Sequence, residues 1–288
     1  EASHAYSAWR GISSSVVVRN FVERHAPEGG FGPAPVDDPS IGYLDTHYRQ
    51  MGRPEDLLDL YRTELDSPGL SQDRKAELHR SLAVIFDKVL GLGSEAVAQL
   101  NAALELDPES EQAVEALRRI MTRDSRHYEL RDALRDLEKR QTDRRMRGLT
   151  IRMLGELHLE ALPDPEASTT QLRQALVLRP ADPRAAELLV RAEEVLLDRD
   201  PRADQRPLLK ALERLGEIGT TPAARHTALM RAGDLCFDKL HNPLMAAGFY
   251  QRANTIRRDE HAVERLRVIR QRTGYGPSEL GARPEPPA

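Results

Sequence analysis

Apolar residues recur at helical spacing along most of this chain. Val114, Leu117, Ile120 and Met121 mark one stripe, and Leu130, Leu134 and Leu137 mark its partner. Further on, Leu188, Leu189, Ala192 and Leu196 face Leu208, Leu212 and Leu215. Such spacings gather apolar groups on one side of a helix, whereas a half-buried strand would alternate them. The pattern holds from Ile41 to Ile269 and predicts helix throughout, with at most a short strand pair near Val16-Val17-Val18. His261 to Arg272 reads as a lone last helix with Val263, Leu266 and Ile269 turned inward.

The helical segments repeat. Gly155-Glu156-Leu157 falls on Gly233-Asp234-Leu235 at an offset of 78 residues, and the register then runs on without a gap. Leu162 meets Leu240, Pro165 meets Pro243, Leu172 meets Tyr250, and Ala175 meets Ala253. A second match, at an offset of 72, places Ala103-Leu104-Glu105-Leu106-Asp107-Pro108 on Ala175-Leu176-Val177-Leu178-Arg179-Pro180. The triplet Phe86-Asp87-Lys88 recurs as Phe237-Asp238-Lys239, and a weaker copy lies at Tyr48 to Leu65. Offsets near twice 36 to 39 leave room for one more helix pair in each gap, at Glu109–Asp143 and Asp182–Gly219.

Alanine, leucine, leucine and proline in the order A-L-x-L-x-P, closing a helix pair of this length, resemble the tetratricopeptide repeat (TPR). By that resemblance Gly155, Gly233 and Ala83 are the small residues of the first helix, where the second helix packs closely. Ala167, Ala246 and Ala96 resemble the small residue of the second helix, and Tyr61, Leu172 and Tyr250 its bulky contact. Ala103, Ala175 and Ala253 resemble its later small position, and Pro108 and Pro180 the closing proline. The resemblance spans about Ser40 to Ile269. Three units carry it well, one fairly, and two by length and period. The chain departs from the family in lacking the first-helix tryptophan, in placing His158, Phe86 and Cys236 where tyrosine is usual, and in one-residue insertions before the inter-helix turn. The implied fold is all-α: a right-handed α-solenoid of about six helix-turn-helix repeats plus a C-terminal capping helix. Stacking would then bury faces that no single pair can bury alone.

Composition sets the flanks. Ala26–Ser40 is rich in Gly and Pro, so residues 1–40 read as an N-terminal segment and linker; residues 41–273 form the repeat domain, and 274–288 a flexible Pro-rich tail. The chain begins at Glu1 without methionine and reads as a piece of a longer protein, open to an upstream targeting signal. Its single cysteine, Cys236, precludes an internal disulfide and fits a reducing cytoplasm, the expected location. No apolar run reaches the roughly 18 residues of a membrane span. The 42 basic and 46 acidic residues nearly cancel, which argues against a general nucleic-acid binder. Only five of the basic residues are lysines (Lys75, Lys88, Lys139, Lys210 and Lys239).

Nothing in the sequence assembles an enzyme's chemistry. The nine histidines show no ligand spacing with one another or with Cys236, so no metal or cofactor is expected. Gly91-Leu92-Gly93 lacks the Gly-Lys-Ser/Thr of a phosphate loop, and Ser13-Ser14-Ser15 has no nucleophile elbow around it. His158 and Cys236 fall on inward positions and read as packed core residues. The basic run Lys139, Arg140, Arg144, Arg145, Arg147 and Arg152 reads first as a solvated turn paired to neighbouring acids.

In tetratricopeptide arrays the first helices line a concave groove. The resemblance places Arg49, Arg80, Lys88, Arg119, Arg123, Arg152, Glu156, Asp234 and Asp238 there, basic early and acidic late. It implies a non-enzymatic protein-protein interaction scaffold, part of a larger bacterial assembly protein, that binds a protein or peptide partner with an acidic segment. The alternative is a sensor module that controls an effector domain outside this fragment.

Overall fold

A computed structural model describes His47, Tyr48 and residues 51–274; the statements below concern these residues. Arg49, the segment at 1–40 and the tail after Gly274 lie outside them. The described residues form α-helices joined by turns, with no strand among them. No described helix is long and apolar enough to cross a membrane. The chain divides into two units, one ending at Arg126 and the other starting at His127.

The first unit contains α1 (Pro54–Leu65), α2 (Gln72–Val84), α3 (Gly93–Leu106) and α4 (Glu111–Arg123), each packed on the next. A π-helical turn, Ile85–Val89, extends α2. Ser71 starts α2 by accepting the Arg74 N–H at 3.2 Å, satisfying a backbone donor that the helix leaves open. In α4 the predicted stripe is the buried one: Val114, Leu117, Ile120 and Met121 are all at most 3% exposed.

The second unit contains α5 (His127–Arg140), α6 (Arg144–Glu160), α7 (Pro165–Leu178), α8 (Pro183–Arg199), α9 (Arg206–Ile218), α10 (Pro222–Asp234), α11 (Pro243–Ile256) and α12 (Glu260–Thr273). Each again packs on its successor, and α6 also touches α8. A second π-helical turn, Leu235–Lys239, extends α10. Proline opens α7, α8, α10 and α11, at a position whose N–H has no intrahelical acceptor. The preceding Asp164, Asp182, Thr221 and Asn242 accept the N–H groups of Ala167, Ala185, Ala224 and Met245.

The turns explain the one-residue insertions. After α4 the chain stops tightly: Arg126 N–H reaches Met121 O, Ser125 N–H reaches Thr122 O, and Ser125 adopts a left-handed φ of 57°. After α2 the turn is wider. Leu90 N–H bonds Ile85 O, and Leu92 N–H reaches back one residue further, to Phe86 O. The same pair of bonds recurs as Leu162 to Leu157 with Asp164 to His158, and as Leu240 to Leu235 with Asn242 to Cys236. These are the positions that the offsets of 72 and 78 superpose, so the sequence register extends to the backbone hydrogen bonds. In the α2 and α10 turns the extra residue lodges in the π-helical segment.

Packing follows the same register. Ala103, Ala175 and Ala253 are fully buried, as are Leu172 and Tyr250. Two assignments shift by one residue. The small residue of α7 is Ser168, fully buried, rather than half-buried Ala167; its hydroxyl donates to Gly155 O at 2.8 Å and so meets no unpaired burial. In α12 the inward residues are Ala262 and Ile269, with Leu266 half-buried, while Val263 is 43% exposed. Asp259 starts the helix by accepting the N–H groups of His261 and Ala262.

Candidate functional site

In the first unit, Asp87 gathers three of the predicted groove residues. The π-helical turn carries its carboxylate inward until the side chain is only 1% exposed. Arg123 Nη1 donates to Oδ1 at 2.6 Å, Arg119 Nη2 donates to Oδ2 at 3.0 Å, and Lys88 Nζ lies 3.5 Å from Oδ2. Burial opposes ionisation of Asp87. The hydrogen bond from Arg123 and the charges of Lys88, Arg123 and Arg119 outweigh it and hold the carboxyl below its ordinary range. The three cations remain about half exposed, at 56%, 53% and 49% for Lys88, Arg119 and Arg123. Asp124 accepts a second bond from Arg123. One buried carboxylate thus fixes a cationic patch whose outer side faces solvent. Arg80 stands apart, bonded to Ser110 Oγ at 3.2 Å and Asp107 Oδ2 at 3.4 Å.

The second unit arranges its predicted residues differently. Arg152 is only 14% exposed and lies between Glu156, 3.6 Å away, and Asp182, 3.5 Å away. Glu156 also accepts from Arg184. Asp238 receives a two-pronged bond from Arg265, at 3.1 and 3.0 Å. Asp234 Oδ1 accepts from the Tyr250 hydroxyl at 2.7 Å and lies 3.0 Å from His261 Nε2. The guanidinium carbons of Arg265 and Arg272 sit 4.8 and 5.4 Å from the Phe237 ring centroid. Each predicted residue here is tied to the neighbouring helices.

Ser110, Asp182, Arg184 and Arg265 were absent from the sequence-derived set. Only Arg265 left a trace, since its partner Asp238 belongs to the recurring Phe-Asp-Lys triplet. The basic run near α6 is also tied down. Lys139 pairs with Asp136, Arg147 with Glu138, and Arg144 donates to Val177 O.

Two inward residues show how the core treats reactive groups. Cys236 is fully buried, and burial together with the Glu213 charge pushes its thiol up to about 12, which suppresses the nucleophilic thiolate. His158 is 4% exposed, and burial lowers its pKa, so the neutral ring is favoured. Among the described residues no group of three or more His, Cys, Asp or Glu side chains is placed to hold a metal ion.

No family model matches the chain, and no curated protein matches it. Solved structures do. The C-terminal part of a TPR repeat-containing protein from Cytophaga hutchinsonii is similar at a TM-score of 0.53 and 13% identity, over 92% of this chain and 99% of that one. PilF of Pseudomonas aeruginosa is similar at a TM-score of 0.44 and 16% identity, over 80% of this chain and 96% of that one. YrrB, described as a TPR protein with an unusual peptide-binding site, is similar at 0.42 and 19%, over 67% and 92%. The first likeness, together with repeating turns and buried small residues, establishes the architecture: this chain has the fold of a tetratricopeptide-repeat array.

Proposed function

We propose that this chain is a non-enzymatic interaction module that holds an acidic segment of a protein partner, and that Lys88, Arg119 and Arg123 receive the partner's carboxylates. The observation that carries the reading is the cationic trio fixed around buried Asp87 with its outer side open. Guanidinium groups held in place lose less freedom when a carboxylate arrives, and they offer paired donors to it. Each half-exposed contact is worth only about 0.2–1 kcal/mol, so affinity must come from several together and must fall with salt. Arg152, Glu156, Asp234 and Asp238 are assigned to holding the second unit together, because each is already engaged by its neighbours.

Carbodiimide coupling tests the assignment, since it joins a carboxylate to a lysine amine in direct contact. A soluble oligoglutamate peptide should couple at Lys88, read by peptide mapping. Arg119→Gln should lower the Lys88 yield several-fold, with only a modest fall in melting temperature because Asp87 keeps its bond from Arg123. No adduct at Lys88, or an adduct insensitive to Arg119→Gln, would remove the trio as the receiving site.

A further inference from the structure

A second cationic surface lies in the second unit. A groove of about 740 Å³ opens between α7 and α9, with Leu189 of α8 in its floor. Four cations line it, Arg173 from α7 and Arg206, Lys210 and Arg214 from α9, against one acid, Asp204. The rest of the lining is apolar: Leu176, Val177, Leu189, Pro207 and Ala211. Val177 is 67% exposed, although it sits in a helix whose other large apolar residues are covered or half-covered.

The cations differ in what holds them. Glu193 takes Arg173, and Arg214 donates to Glu217 at 2.9 Å and to Pro180 O, so both guanidinium groups are fixed in place. Asp204 accepts the Arg206 backbone N–H at 3.0 Å, while the Arg206 guanidinium lies 4.0 Å away and is 78% exposed. Lys210 is exposed and has no hydrogen-bond or ion-pair partner among the described residues. Lys210 lies one turn into α9, and Arg206 opens the helix, at the positive end of its dipole. Local electrostatics disfavours cations there, and an arriving anion would relieve it.

From this charge complementarity over an apolar floor, we infer that the α7–α9 groove is a second docking site, which takes an acidic peptide segment carrying an apolar residue. The carboxylates meet Lys210 and Arg206, and the apolar residue covers Val177 and Pro207. The floor distinguishes this occupant from a bare inorganic anion, which would gain nothing from it. The site is independent of the Asp87 trio, sharing no residue with it.

The lysine distribution makes the two sites separable. A short peptide of alternating Glu and Leu, coupled by carbodiimide to the whole chain, should form an adduct at Lys210. A Glu–Ser peptide of the same charge should couple there less. In fluorescence anisotropy, Arg206→Glu with Lys210→Glu should weaken the Glu–Leu peptide on the order of tenfold, as expected when two charge contacts are reversed. Val177→Ser should erase the preference for the Glu–Leu peptide over the Glu–Ser one. All of these side chains are exposed, so the melting temperature should hold. Adducts at Lys88 without any at Lys210 would overturn the groove and leave the trio standing; adducts at Lys210 alone would do the reverse. Equal coupling at Lys75, Lys139, Lys210 and Lys239, or an unchanged affinity in the double variant, would reduce the groove to general surface charge.

Discussion

A Cβ placed on Gly233 would stand 2.6 Å from Cε1 of Tyr250, closer than any packed pair of carbons. The ring cannot swing aside cheaply, because its hydroxyl is bonded to Asp234 and its side chain is fully buried. Two repeats earlier the same relationship joins Gly155 and Leu172, where a Cβ would meet Leu172 Cγ at 2.7 Å. We predict that Gly233→Leu and Gly155→Leu each destabilise the protein by about 1–3 kcal/mol through overpacking. Gly248, in α11, has nothing within 4 Å of a built Cβ. Gly248→Ala should instead stabilise by about 0.5–1 kcal/mol through helix propensity. Urea unfolding of the three variants checks the contrast; a common effect at all three sites would defeat it.

The turn after α10 places His241 at a left-handed φ of 49°, where the turn after α2 places Gly91 at 68°. Left-handed backbone is costly for any residue with a Cβ. His241→Gly should therefore be neutral or stabilising, by up to about 1 kcal/mol, despite the greater freedom glycine brings to the unfolded chain. Gly91→His should lose stability. A lower denaturation midpoint for His241→Gly would show that its side chain contributes more than its backbone loses.

Asp87 gives the fold an acid dependence of definite sign. Its folded pKa lies below the ordinary 3.8, so its contribution is present above that value and is lost as the pH falls through the folded value. Melting temperature should decline on acidification below about pH 4, the ordinary carboxylate range. Asp87→Asn should flatten that decline and should lower stability at neutral pH, where Arg123 and Arg119 lose the buried charge and one of its two acceptor oxygens. Melts that remain parallel for the two proteins through this range would contradict the assignment.

His158 acts in a different window. Burial is the largest cause of its lowered pKa; Asp164 pulls the other way, and Arg135 and Arg131 add to the lowering. The unfolded histidine takes up a proton near its ordinary 6.5 while the folded one resists. Stability is therefore full above that value and falls as the pH drops from it toward the folded pKa. Both ring nitrogens lack a hydrogen-bond partner, and the equivalent residue one repeat pair earlier is Phe86. His158→Phe should match or exceed the parent at neutral pH and should show a shallower stability slope from about pH 6.5 downward. A slope equal to the parent's would place the titrating group elsewhere.

The apolar stripes, the all-helical class and the buried small residues were legible because apolar period and repeat register are local or self-referential features. Ala103, Ala175 and Ala253 could be found by laying the chain over itself, and all three are fully buried. One-residue shifts appeared where chemistry overrode residue class. Ser168 takes the alanine slot by bonding Gly155 O, and in α12 the smaller Ala262 takes the inward place of Val263. The candidate site was less legible. Arg119 and Arg152 look alike in sequence, yet one is half exposed and the other is enclosed by Glu156 and Asp182. That difference depends on which acids arrive from the neighbouring helix. The α7–α9 groove left no sequence signal, since its lining is drawn from three successive helices and spans Arg173 to Arg214.

The wide turns after α2 and α10 bear on how such a chain can change over generations. The extra residue of each is taken up in the π-helical segment, Ile85–Val89 or Leu235–Lys239, and the helices before and after it still pack on each other. Length drift of this kind leaves the stack intact while it displaces every later position from a fixed-length pattern. An array built on such joints can diverge until the repeat is plain in three dimensions and hidden in the letters.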